Sequence, residues 1–114
     1  MAKGFSPDTS GTLNTGLLIG FNFEGNSNDV VGSNNCTDTN ITYGSSYGKI
    51  NQGADFNGTN SHMKGGSNLG ISGNVATSIS LWFRADVLDA NSKMLVQIGD
   101  NASAQGSSMT VGLS

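Results

Sequence analysis

The residues with chemical potential crowd two turns. Glu24-Gly25-Asn26-Ser27-Asn28-Asp29 forms one, and Asp55-Phe56-Asn57-Gly58 forms the other. Carboxylates and amide oxygens at such spacing are the ligand types of calcium, which takes six to eight oxygens. Calcium is therefore the one metal the sequence suggests, with Glu24, Asp29, Asp55 and Asn57 as candidate ligands. The competing reading is that Asn and Asp in turns cap their own backbone.

Other chemistry finds less to work with. Glycoside hydrolysis needs two carboxyl groups held at a fixed separation, but Glu24 is the only Glu and no expected strand presents two acids. His62 is the single histidine. Ser61 and Asp55 lie near it in sequence, yet sequence neighbours rarely converge with triad geometry. His62 reads instead as an exposed residue, either structural or in contact with a ligand. Cys36 has no second cysteine to pair with, and a lone Cys most often serves as a small buried hydrophobe. Non-catalytic work is the expectation.

The elements that must position these groups are short strands. Of the 114 residues, 35% are hydrophobic and 11% charged, with 17 Gly and abundant Asn, Ser and Thr. Gly and Asn favour turns over helix, so helix should be nearly absent. Net charge is −3 and the five basic residues are scattered, whereas a nucleic-acid footprint needs clustered Lys and Arg. Nucleic acid is not an expected partner. No run is long and apolar enough for a membrane span, and no apolar leader follows Met1-Ala2-Lys3.

Residues 1–15 read as an N-terminal arm or linker, with Phe5 as a conceivable anchor on a neighbouring subunit. Leu17–Phe23 alternates as a first strand, Leu17, Ile19, Phe21 and Phe23 on one face. Weak strand signals surround Ile41–Tyr43 and Tyr47–Ile50. Ala54 and Phe56 share a face in a strand that Asn57-Gly58 should reverse, so that Ser61–Met63 runs back beside it as a hairpin. Thr77–Arg84 is the strongest strand pattern, with Ile79, Leu81 and Phe83 on one side and Ser78, Ser80, Trp82 and Arg84 on the other. Met94, Val96 and Ile98 alternate next, then Met109, Val111 and Leu113.

Three of these stretches, LLIGFNFEGNSND at 17–29, GADFNGTNSHM at 53–63 and TSISLWFR at 77–84, carry a resemblance in their order and spacing. Together they resemble the laminin-G-like, concanavalin A-like jelly-roll domains. The resemblance covers roughly residues 16–100. It implies an all-β antiparallel sandwich, assigned to 16–114 and incomplete at its C-terminal side, because members of that group are usually longer. It also adds weight to calcium, which many members hold.

Two functions are expected on this basis. The first is a non-catalytic structural or binding module of a virion or appendage, such as a bacteriophage capsid decoration, fibre or tail protein. Its partners would be neighbouring subunits and surface glycans, and its location the virion. The alternative is a carbohydrate-binding module of a bacterial surface protein or glycoside hydrolase, extracellular or at the cell surface. Sugars would then meet the faces of Tyr43, Tyr47 and Trp82. Trp82 is expected to lie beneath a loop or between sheets rather than in the open, because large aromatics dominate cores.

Overall fold

The computed structural model describes residues 15–66, 71, 75–87, 93–99 and 108–113. Among the described residues there are six strands: β1 (Cys36–Thr39), β2 (Ile41–Gly44), β3 (Gly53–Phe56), β4 (His62–Gly65), β5 (Lys93–Gly99) and β6 (Ser108–Leu113). The described residues contain no helix, so the protein is all-β. They form three two-stranded antiparallel ladders, β1 with β4, β2 with β3, and β5 with β6. The chain divides into two compact units, Met1–Leu69 and Gly70–Ser114. Of the expected N-terminal arm, only Thr15 falls among the described residues.

The first unit is built on one interrupted hairpin. Thr39 is paired with His62, and Ile41, two residues further on, is paired with Phe56. Asn40 alone therefore stands opposite the five residues 57–61. This corrects the expected hairpin. β3 and β4 are not partners of each other; both pair with the continuous segment 36–44, and Asn57–Ser61 is an excursion between them. Gly58 has φ 72°, as its turn position requires, but Asn57 does not share the left-handed region. Either primed two-residue turn needs positive φ at its first centre, here Asn57, so no tight reversal forms here.

Asn40 also changes which side chains can meet. Asp38 and Tyr43 are five residues apart, and on a continuous strand they would point to opposite faces. Asn40 sits at φ 51°. The left-handed residue breaks the alternation, and the Tyr43 hydroxyl donates to the Asp38 carboxylate at 2.6 Å.

Between β2 and β3 the chain closes tightly. Tyr47 N–H donates to the Gly44 carbonyl at 3.2 Å, and Asn51 takes φ 56°. The expected strand signal at Tyr47–Ile50 thus falls in a turn. A Cβ on Gly48 would lie 2.5 Å from the Gln52 backbone, and one on Gly53 would lie 2.6 Å from the Tyr47 backbone. The two main chains touch because neither residue carries a side chain.

The strand expected at Leu17–Phe23 is not formed. It contributes a single bridge, Phe21 with Asp29, and one further backbone bond from Val30 N–H to the Gly20 carbonyl at 2.8 Å. Two causes are visible. Phe23 has φ 56°, outside the extended region, and Gly25 N–H closes a tight turn on the Phe23 carbonyl at 2.9 Å. The Gly20 N–H, which a ladder would use, goes instead to the Asp29 carboxylate. Phe21 and Phe23 still stack, their centroids 5.9 Å apart and their planes 14° from parallel.

In the second unit, β5 and β6 pair as their alternation predicts, with one departure. The register shifts between Met94 and Val96, leaving Leu95 bulged. Met94 is consequently 63% exposed rather than turned inward with Val96 and Ile98. A Cβ on Gly112, opposite Met94, would lie 2.8 Å from the Lys93 carbonyl, so the bulge depends on glycine there.

The Thr77–Arg84 segment, expected to be the strongest strand, has no ladder partner among the described residues. Its alternation persists through Leu81. Thr77, Ile79 and Leu81 are half-buried, while Ser78, Ser80 and Trp82 are exposed. The pattern then fails at Phe83, which is 53% exposed. Trp82 is 98% exposed, which corrects the expectation that it lies under a loop or between sheets. Among the described residues no hydrophobic side chain is buried.

Candidate functional site

Of the acidic groups that invited a chemical reading, the Asp29 carboxylate is spent on the scaffold. Asp29 is only 8% exposed and gathers the loop around itself. Its Oδ1 accepts the Gly20 N–H at 3.1 Å and the Val31 N–H at 2.9 Å. Its Oδ2 accepts the Asn34 N–H at 3.1 Å and the Asn34 side-chain amide at 3.2 Å. Burial raises the pKa of this carboxyl, but backbone donors at Val31, Gly20, Asn34 and Gly32 outweigh that and hold it at about 2. A carboxylate so supplied with N–H donors is a loop organiser. Both of its oxygens are occupied by donors of the loop.

The other proposed calcium ligands lie elsewhere. Glu24 is half-buried in the first turn, where its backbone N–H donates to Asn22 Oδ1 at 3.3 Å. Asp55 pairs across the ladder with Thr42. Asn57 Oδ1 accepts three backbone N–H groups, from Thr59 at 2.9 Å, Asn60 at 3.0 Å and Ser61 at 3.2 Å. Among the described residues no three of His, Cys, Asp and Glu come together in a way that could hold a metal ion. The four candidate ligands are not gathered into one site.

A second carboxylate, Asp38, was not singled out by the sequence. It accepts the Ser27 hydroxyl at 2.5 Å and the Tyr43 hydroxyl at 2.6 Å. Ser27 is 3% exposed and also stands 3.3 Å from the Cys36 carbonyl, while its own carbonyl accepts the Cys36 N–H at 3.1 Å. Burial pushes the Tyr43 phenol up to about 12, and the bond to Asp38 adds to the effect. The Cys36 thiol is raised by burial and by the charges of Asp38 and Asp29. That environment disfavours a nucleophilic thiolate. Ser61 is likewise engaged, its Oγ accepting the Asn57 N–H at 2.8 Å.

The chain matches no family model, no curated protein and no solved structure. Function must be read from the surface itself. No helix among the described residues is long and apolar enough to cross a membrane.

Of the three aromatics suggested for sugars, Tyr43 is half-buried and tied to Asp38 by its hydroxyl. Tyr47 is 37% exposed in the turn after β2, its ring edge against Gly44, where a Cβ would lie 3.3 Å from it. Trp82 belongs to the other unit and presents its ring almost entirely to solvent. The structure therefore leaves Tyr47 and Trp82 open and removes the tip of Tyr43.

One further surface emerges on the β1–β4 ladder. Thr37 is paired with Lys64 and Thr39 with His62. Alternation places these four residues on one face of the ladder, away from Asp38 and Met63. The sequence carried a trace of it in two i, i+2 pairs, Thr37 with Thr39 and His62 with Lys64. What could not be foreseen was that β4 pairs with β1.

Proposed function

We propose that the chain is a non-catalytic structural and binding module of a virion or appendage, such as a capsid decoration, fibre or tail component. It works through contacts with neighbouring subunits and surface glycans. The observation that carries this reading is the exposure of Trp82, 98% open to solvent on a segment where Ser78 and Ser80 are also exposed. A bare indole flanked by small hydroxyl residues suits a contact surface, since Trp combines large apolar area with a polar edge. Support also comes from the strands. Each described ladder has two members, so every strand keeps an edge on which a neighbouring strand could pair. The wider architecture proposed is the concanavalin A-like jelly roll that the three sequence stretches resemble.

Trp82 equally favours a second reading, the carbohydrate-binding module. Its ring is free to stack on a sugar, with Tyr47 the other accessible aromatic. Calcium remains a proposal for either reading, without an assembled ligand set behind it.

Mass spectrometry of gradient-purified particles tests the first reading. The chain should be recovered in fixed proportion to the major particle proteins. Recovery only from culture medium or cell surface, with glycan binding that Trp82→Ala abolishes, would replace it with the second.

A further inference from the structure

Thr37, Thr39, His62 and Lys64, with Gly65 and Gly66, line an open hollow of about 430 Å³ on one face of the β1–β4 ladder. No acidic residue lines it. His62 and Lys64 are both exposed, and among the described residues neither side chain is engaged by a hydrogen bond or an ion pair. A Cβ on Gly65 or Gly66 would meet nothing within 4 Å, so that end of the hollow has room for a ligand group. The protein as a whole carries a net charge of −3, which makes an acid-free hollow bearing an ammonium and an imidazole a local exception.

The donor set defines what would fit. A Lys ammonium offers three N–H donors and a positive charge, an imidazole offers a further N–H, and a Thr hydroxyl can donate or accept. Charge-assisted bonds of this kind go to oxyanions. Two hydroxyls beside the two nitrogen groups suit a ligand that carries hydroxyls next to its anion. We infer that this face binds the sulfate or carboxylate group of an acidic glycan. Lys64 and His62 hold the anion, and Thr37 and Thr39 contact neighbouring sugar hydroxyls. The inference deepens the proposed function and rests on its reading of the chain as a binding module.

The test is an NMR titration of the full chain with three probes: a heparin-derived hexasaccharide, a neutral cello-oligosaccharide of the same length, and inorganic sulfate. The sulfated oligosaccharide should move the amide signals of residues 37–39 and 62–65, and added salt should weaken it. Lys64→Gln and His62→Gln should each lower its affinity about two- to fivefold, the weight of an exposed ion pair. Unchanged amide signals in β2 and β3 would show that both variants stay folded. Equal binding of the neutral sugar, or indifference to both substitutions, overturns the site. Equal affinity for inorganic sulfate overturns the glycan assignment. Loss of the site on these grounds would leave association with particles intact, and absence from particles would leave the hollow's binding intact, so the two ideas fail separately.

Discussion

The carboxylate of Asp29 accepts the backbone N–H of Gly20 at 3.1 Å, across nine residues of chain. Through this bond a side chain takes the donor that a strand would have used. The loop between the two residues is therefore held by one buried charge and its donors. Its stability follows the ionisation of that charge.

Asp29 should make the domain acid-sensitive. Its folded pKa is about 2, below the usual 3.8. A depressed carboxyl contributes fully above its unfolded value and loses that contribution as pH falls through its folded value. Denaturant melts taken between pH 5 and pH 2 should show a loss on the order of 2 kcal/mol from this group. Asp29→Ala should lower stability at pH 7 by about 1–3 kcal/mol, because it strands the backbone donors. A variant as stable as the parent would remove Asp29 from the centre of the loop.

Tyr43 gives the complementary signature at high pH. Its phenol ionises near 12, above the usual 10, because burial and Asp38 favour the neutral form. Folding stability from this group is complete below pH 10 and is lost as pH rises towards 12. Ultraviolet titration of a Tyr47→Phe variant isolates the transition. Adding Asp38→Asn should bring it back towards 10, and Tyr43→Phe should cost about 1–2 kcal/mol in denaturant melts.

The Asn57–Ser61 excursion should tolerate more than a hairpin turn would. Gly58→Ala places a Cβ in open space but at φ 72°, so the cost is backbone strain of about 1 kcal/mol. Asn57→Asp keeps the acceptor for three N–H groups but loses the amide donor to Asn60 Oδ1, so it should melt between the parent and Asn57→Ala, which should lose about 1 kcal/mol. Thermal melts rank the three. Global unfolding by any of them would mean that the segment is a true reversal.

Gly48 and Gly53 should tolerate nothing. A Cβ at either meets main chain at 2.5 or 2.6 Å, and no flexible side chain is there to give way. Gly48→Ala and Gly53→Ala should each cost about 2–4 kcal/mol by denaturant unfolding, the scale of severe overpacking. Little loss in both would mean that the two backbones are further apart.

Much of the strand content was legible, and the pairing was not. Met94, Val96 and Ile98 announce β5 by period alone, and Met109, Val111 and Leu113 announce β6. Leu17–Phe23 has an equally good period, yet Phe23 adopts a left-handed backbone and Asp29 captures Gly20. Such events depend on a residue's neighbours in space, which periodicity does not encode. The turn at Asn57-Gly58 misled for a related reason. Its composition suits a reversal, but the partner of β3 is β2, which comes earlier in the chain. For the site, Trp82 was expected under a loop or between sheets and stands in the open instead. His62 has no visible company in the sequence beyond Lys64, because Thr37 and Thr39 join the pair only through the β1–β4 register.

That register sets up an asymmetry at Asn40, one residue facing five. The surplus of four residues lies wholly on the β3–β4 side, and the single left-handed residue Asn40 already carries the change of face between the two ladders. Residues 57–61 thus form a natural cassette. Peptides of other lengths could be spliced in there, and the strands on both sides would keep their partners.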